Sequence, residues 1–320
     1  MKDNMFFAKL VAITFCAFSV CLVSFAQTSM DKYEETIKQV DELIASVPAP
    51  ILEEGTTVVN VHFSNLELTP CDDLNMTLIR YYSKEPETFT AEIDSKASTA
   101  VFTLQLDGTS VCHFSNSKIP FTSDVYLAPG ETVDVWLDMR EVVKRDKTID
   151  EVRRLIYEAG LTECREPIGP PVINLIPVTT NGHYAEVNNN LRSLRDVYLD
   201  VKPQDNCISS ELADSIMDIY IQNCKGILQG TGSDVQKAFE LIDLRLNAAN
   251  VAATKAYLGK ITDTSDLKRV LQFLNLNDTR LLLGQSKMAA FLLYQYYKDL
   301  IPNSPLVDYY EALMKSLGVE

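Results

Sequence analysis

The sequence contains few of the residues from which catalytic and metal centres are usually built. It has three histidines, and the spacing of His62, His113 and His183 matches no metal-binding motif. It has no Cys-x-x-Cys pair, the arrangement that lowers a thiol pKa in oxidoreductases. Its loosely spaced glycines over 226–232 follow a predicted helix rather than a strand, which argues against a phosphate-binding loop. The sequence therefore predicts no catalytic residue, no cofactor and no metal ion, and it favours a non-enzymatic protein.

Basic residues are also scarce. The chain has 29 lysines and arginines against 44 aspartates and glutamates, and its formal net charge is −15. Its basic pairs, such as Lys144-Arg145 and Lys268-Arg269, are isolated from one another. A polyanion would be repelled by such a surface. We therefore expect no nucleic-acid partner.

Residues 1–26 have the three parts of a secretory signal peptide. Lys2 and Lys9 precede an uncharged run over 10–25, and Ser24-Phe25-Ala26 forms a small-x-small cleavage site before Gln27. An uncleaved anchor is the alternative, but the run is shorter than the ~20 apolar residues that a span needs. We expect an extracytoplasmic protein, periplasmic or secreted, with no membrane span after cleavage. Loss of the leader makes the chain one charge more negative.

The predicted mature chain keeps five cysteines: Cys71, Cys112, Cys164, Cys207 and Cys224. In an oxidising compartment these residues could form two disulfides and leave one free thiol, although their spacing does not define the pairing. A clip between Cys207 and Cys224 is one option. The alternative is that several of them are buried as small apolar side chains.

Two changes in hydrophobic periodicity divide the remaining chain. Apolar residues recur every three or four positions over 28–47, which predicts a helix, and we assign 27–50 to an N-terminal helix and linker. The period then becomes two, and short strands separated by turns predict an antiparallel β-sandwich over 51–140. We expect hairpins at Asp107-Gly108 and at Pro129-Gly130.

The C-terminal part is predicted to be helical. Residues 141–180 form a connector with a short helix over 148–160, and an α-helical domain follows over 181–320. The predicted helices of that domain cover 211–228, 234–258, 264–276, 278–300 and 304–317. The fold class is therefore α+β, a β-sandwich followed by a helical domain.

The stretch VYLAPGETVDVWLDM, residues 125–139, carries the chain's single tryptophan. Strand alternation puts Val133, Val135 and Leu137 on one side and Asp134, Trp136 and Asp138 on the other. Gly130 tolerates the positive φ of a type II turn. We expect Trp136 on an outer face, covered by a neighbouring helix or by the second domain. The alternative is an exposed binding surface, to which Tyr126 and Phe121 would add further aromatic rings.

Two short motifs in the chain resemble the N-terminal half of extracytoplasmic thioredoxin-like (TlpA-type) proteins. The first is PGE-x-V-x-V-x-x-D, matched by Pro129, Gly130, Glu131, Val133, Val135 and Asp138. The second is G-x-Y-A-x-x-N, matched by Gly182, Tyr184, Ala185 and Asn188. The resemblance covers residues 51–317 and implies a β-sandwich followed by a helical region. Catalysis in that family belongs to a thioredoxin domain with a Cys-x-x-Cys pair, so the resemblance transfers no catalytic residue and implies an accessory half standing alone.

Three functions are compatible with these patterns. The first is a non-catalytic module that binds an unknown protein partner in the cell envelope, as part of a thiol-redox or binding system. The second is thiol exchange between one of the five cysteines and a separate thioredoxin-like oxidoreductase. The third is binding of a small ligand or glycan on the β-sandwich, through Trp136, Tyr126 and Phe121.

Overall fold

The computed structural model describes residues 33–68, 71–79, 86–116, 123–143, 173–174, 177–191, 193–194, 208–284, 289–316 and 318. Within these residues, two β-sheets are followed by a helical region. The predicted α+β class is confirmed. The predicted helix over 148–160 lies outside the described residues.

The described strands form two four-stranded sheets and one small pair. Their bounds are β1 Gly55–Ser64, β2 Asp73–Ile79, β3 Glu87–Glu92, β4 Thr99–Leu106, β5 Ser110–Ser115, β6 Ser123–Leu127, β7 Thr132–Asp138, β8 Ile173–Asn174, β9 Val178–Thr180 and β10 Ser193–Leu194. The first sheet has the order β4-β1-β7-β9, the second has the order β3-β2-β5-β6, and β8 pairs with β10. All these pairs are antiparallel except β1 and β7, which are parallel.

Helices occur before, between and after these strands along the chain. The described helical ranges are α1 over 33–45, α2 over 139–143, α3 Ala185–Asn190, α4 Ser209–Gln229, α5 Asp234–Tyr257, α6 Thr264–Phe273, α7 Ala289–Tyr297 and α8 Pro305–Ser316. Short 3₁₀ turns occupy Leu66–Leu68, Thr279–Leu283 and Lys298–Leu300. One apolar core fills the space between the two sheets, and a second fills the helical region.

Both predicted hairpins are wrong, because each turn carries the chain from one sheet to the other. Asp107-Gly108 joins β4 of the first sheet to β5 of the second, and Pro129-Gly130 joins β6 of the second sheet to β7 of the first. Gly130 does adopt the expected positive φ, at 81°. The Thr57 hydroxyl accepts a hydrogen bond from Gly130 N at 3.1 Å and donates to Ala128 O at 2.8 Å. These bonds fix the turn against β1, so β7 continues beside β1.

The strand alternation predicted for β7 is confirmed. Val133, Val135 and Leu137 are buried between the sheets, whereas Asp134, Trp136 and Asp138 are on the outside of the first sheet. A fourth strand, β9, completes this sheet from within the predicted connector.

The N-terminal helix belongs to the helical region rather than to a separate linker. Val40 and Ile44 of α1 are buried in the helical core. Arg245, which is 1% exposed, donates from Nη2 to Asp41 Oδ1 at 2.7 Å and from Nε to the Tyr220 hydroxyl at 3.2 Å. The described part of the chain thus runs from the helical region into the sandwich and back to the helical region.

A smaller apolar cluster joins the sandwich to the helices. Tyr126 of β6 packs against Phe239 of α5 with ring centroids 5.3 Å apart, and its hydroxyl donates to Leu283 O at 3.3 Å. Tyr184 lies in the same cluster and donates from its hydroxyl to Ala49 O at 3.0 Å. The two halves therefore share an apolar contact.

Two neighbouring asparagines of α3 bind the edge strands of both sheets. Asn188 Oδ1 accepts from Tyr126 N at 2.8 Å, and its Nδ2 donates to Tyr126 O at 3.0 Å. Asn189 Oδ1 accepts from Thr180 N of β9 at 2.7 Å, and its Nδ2 donates to Thr180 O at 3.2 Å. Each amide supplies one donor and one acceptor, as a further strand would. These side chains close one side of the sandwich.

The two motifs that carry the family resemblance also contact each other. Glu131 accepts hydrogen bonds from Ala128 N at 3.0 Å and from His183 N at 2.9 Å. Gly182 has a φ of 88°, and a Cβ there would lie 2.8 Å from Glu131 Oε2. Both motifs thus have a structural role at the same place.

The predicted helix over 278–300 is wrong, because the described residues of this range form three elements: two 3₁₀ turns, Thr279–Leu283 and Lys298–Leu300, with α7 between them. The 3₁₀ turn Thr279–Leu283 ends at Gly284, and α7 begins at Ala289. A Cβ on Gly284 would lie 2.6 Å from a Leu246 methyl and 2.8 Å from an Ile242 methyl. The close approach of α5 requires glycine there, and its extended backbone ends the helical turn.

We predict that Asn188→Ala lowers the free energy of unfolding by about 2–4 kcal/mol, because it leaves both backbone groups of Tyr126 buried without a partner. Denaturant unfolding followed by circular dichroism measures this change.

The matched control is Asn190→Ala, since Asn190 is exposed and its side chain donates only to Glu186 O of its own helix. We expect the control to change stability by no more than about 0.5 kcal/mol. Equal effects of the two variants would contradict the bridging role of Asn188.

Candidate functional site

The outer face of the first sheet exposes Trp136. This residue is 40% exposed, so the expectation that a helix or the second domain covers it is wrong. The helical region packs instead against the side of the sandwich at Tyr126 and Ala128. An exposed tryptophan on a regular sheet is uncommon, because burial of its large ring is favourable.

Aromatic and polar neighbours surround this tryptophan in register. His62 of β1 lies opposite Trp136, with the two rings stacked at 5.5 Å and 18°. Thr179 of β9 lies opposite it on the other side. We call this surface the Trp136 face and define it by Asn60, His62, Val101, Asp134, Trp136, Thr179 and Asn181.

Asp134 is the hydrogen-bonding centre of the Trp136 face. Its Oδ1 accepts from His62 Nε2 and from Asn60 Nδ2, both at 3.1 Å. Its Oδ2 accepts from Asn181 Nδ2 at 2.9 Å, and its backbone N donates to Asn181 Oδ1 at 2.7 Å. These bonds, that of His62 first, hold the pKa of the Asp134 carboxyl below its ordinary value. The carboxylate is therefore ionised at neutral pH and fixed in position.

Asp138, the other acidic residue beside Trp136, already has hydrogen-bond partners. Asp138 accepts a bidentate pair from Arg140, at 2.9 Å from Nε and 2.5 Å from Nη2. Asn65 Nδ2 donates to the same carboxylate at 2.9 Å. The bonds from Arg140 hold the pKa of Asp138 well below its usual range.

The charge of the first sheet is of one sign. Its four strands contain two aspartates and one histidine, but no lysine or arginine. Val101 adds an apolar patch, 55% exposed, opposite Asn60. The Trp136 face can thus stack an apolar ligand surface on its rings and hydrogen-bond the rim of that ligand.

The other two aromatic residues proposed from the sequence do not join this face. Tyr126 is 3% exposed, in the contact between sandwich and helices, and its burial raises its pKa well above the ordinary value. The interpretation of Tyr126 as a binding-surface residue is therefore corrected, since β6 is buried along its whole length. Phe121 lies outside the described residues.

The described cysteines are buried. Cys71 and Cys112 lie in the sandwich core, and Cys224 lies in the helical core. Burial raises the pKa of Cys112 far above its ordinary value and that of Cys224 to about 12. A thiol with such a pKa is a poor nucleophile at neutral pH. Cys164 and Cys207 lie outside the described residues, so the proposed clip between Cys207 and Cys224 does too.

The histidines are in separate places. His62 belongs to the first sheet, whereas His113 belongs to the second and bonds Asp124. His183 lies beside Tyr184, with ring centroids 4.7 Å apart. Within the part of the chain that the structure describes, no group of three or more His, Cys, Asp or Glu residues could hold a metal ion.

A second exposed aromatic surface was missed from the sequence. Tyr257 of α5 and Tyr296 of α7 are 56% and 49% exposed, with ring centroids 5.1 Å apart. The apolar run over 289–297 was the available signal, because a helix that is apolar on all faces rarely stays fully exposed. Exposed tyrosines are typical of protein interfaces, and the protein partner expected from the sequence remains a prediction.

Comparison with protein-family models, with curated proteins and with solved structures finds no match to the chain. The likeness to the TlpA-type family therefore remains a prediction from two short motifs. Of the helices in the described ranges, none has the length and apolar character to cross a bilayer.

We predict that Cys71, Cys112 and Cys224 resist alkylation in the native protein at pH 8, because all three are buried. Timed iodoacetamide labelling with peptide mass mapping measures this protection. The same protein in denaturant is the control, and there we expect complete labelling. Fast labelling of any of these three cysteines in the native protein would contradict the prediction and support thiol exchange through that residue.

Proposed function

We propose that this chain is a non-catalytic, exported binding protein whose Trp136 face holds a saccharide. The observation that carries the proposal is the exposed indole of Trp136, stacked beside His62 and flanked by the fixed carboxylate of Asp134. The predicted signal peptide would bring this face to the compartment where envelope and external saccharides occur.

The chemistry of the face suits a sugar ring. One face of a pyranose carries mainly C–H groups, which pack on an indole through burial of apolar area and attraction to its π-electrons. The rim of the same ring carries hydroxyls, which need hydrogen-bond partners. Asp134, Asn60 and Asn181 provide acceptors and donors beside the indole.

The framework of the face is rigid. Trp136 and His62 lie on β7 and β1, the two central strands of the sheet, and these strands pair over seven positions. Side chains on central strands lose little further freedom on binding. Rigid placement therefore favours affinity at this exposed surface.

We predict that Trp136→Ala weakens saccharide binding at least about 30-fold, the effect of losing a central stacking residue. In the unmodified protein, intrinsic fluorescence monitors the site directly, because Trp136 is the only tryptophan. Since the variant lacks this signal, calorimetry compares the two proteins, with cellohexaose, xylohexaose and mannohexaose as probes.

Tyr257→Ala is the matched control, because it removes another exposed aromatic ring that lies in the helical region. We expect the control to bind the probes as the unmodified protein does. Absence of binding to every probe, or binding that survives the loss of Trp136, would rule out the proposed function.

A further inference from the structure

We infer that Asp134 makes the Trp136 face selective for neutral saccharides, by accepting one ligand hydroxyl at Oδ2. This inference rests on the proposed saccharide binding and names the class of ligand. It assigns to Asp134 a specificity-determining role that is distinct from the stacking role of Trp136.

The hydrogen bonds of Asp134 leave one acceptor position. A carboxylate has about four acceptor sites, two on each oxygen. Oδ1 receives His62 and Asn60, whereas Oδ2 receives Asn181 as its only partner among the described residues. The Asp134 side chain is 31% exposed, so it is partly open to solvent and to a ligand. The remaining site therefore accepts one hydroxyl.

The position of Asp134 fits this contact. Asp134 and Trp136 are two residues apart on one strand, which puts their side chains on the same face about 7 Å apart. A sugar ring stacked on the indole therefore brings a hydroxyl of its rim to the carboxylate. The bonds from His62, Asn60 and Asn181 hold the acceptor in place before the ligand arrives, which reduces the entropic cost of binding.

The charge of the face excludes acidic ligands. Oδ2 is an acceptor with a negative charge, and an acidic sugar would bring a second anion close to it. The strands of the first sheet have no lysine or arginine to compensate, and Arg140 is engaged by Asp138. The formal net charge of the chain, −15, adds to this repulsion. Uronic acid and phosphorylated saccharides should therefore bind poorly.

The test compares neutral hexaoses with hexagalacturonate, by calorimetry at low salt. We expect the unmodified protein to bind at least one neutral probe and to bind hexagalacturonate at least about tenfold more weakly. We expect Asp134→Asn to lower the affinity for the neutral probe about tenfold, the effect of losing a charged hydrogen bond. The ratio of neutral to acidic affinity should fall by a similar factor.

Asp138→Asn is the matched control. It also removes one carboxylate charge beside Trp136, but that carboxylate is already bound by Arg140. We expect this variant to keep the neutral affinity within about twofold. Thermal melts followed by circular dichroism establish that each variant is folded.

A second measurement needs no variant. Raising the salt concentration from 50 to 500 mM should strengthen hexagalacturonate binding relative to the neutral probe, because salt screens the repulsion. The role of Asp134 would be overturned if binding depends on Trp136 but the ratio of neutral to acidic affinity is unchanged in Asp134→Asn. It would also be overturned if salt has no effect on that ratio. Either result would leave the proposed function standing. Absence of binding to any saccharide would overturn both, and Trp136-dependent binding of a peptide instead would identify another class of partner.

Discussion

The hydrogen bonds of two adjacent asparagines determine how the rest of this molecule is arranged. Asn188 binds both backbone groups of Tyr126 in the second sheet, and Asn189 binds both backbone groups of Thr180 in the first. A sheet edge needs such partners, because buried backbone groups without them are costly. One short helix thus holds the two sheets together at one side, and it provides the surface on which α5 packs.

This closure lies at one side of the sandwich, and the described helices leave the neighbouring Trp136 face exposed. The described helices cover the sandwich along the side of β6, where Tyr126 meets Phe239, and among the described residues they leave Trp136 exposed. The same arrangement positions β9 beside β7, which brings Asn181 to the carboxylate of Asp134. A structural contact in one place therefore shapes a polar and aromatic surface in another.

Local patterns in the sequence predict local structure here, but not its long-range partners. The alternation over 132–138 correctly predicts which side chains face outwards, and Gly130 has the expected positive φ. The same turn residues do not reveal that β7 pairs with β1, because β1 and the Thr57 hydroxyl that bonds the turn lie far away in the chain. Whether Trp136 is covered depends likewise on where the helices dock. Asn188 and Asn189 resemble solvent-facing residues of a helix until their strand partners are known.

The salt bridge between Arg245 and Asp41 has a consequence for how the chain can be divided. Its two residues are separated by 204 positions, with the whole sandwich between them. The helical body is therefore discontinuous in sequence, and its native packing includes a contact between residues far apart in the chain. A truncated fragment that starts after residue 50 would leave the buried guanidinium of Arg245 without its counter-charge. It would also remove Val40 and Ile44 from the helical core. Any excision of the C-terminal body should retain α1, joined by a linker in place of the sandwich.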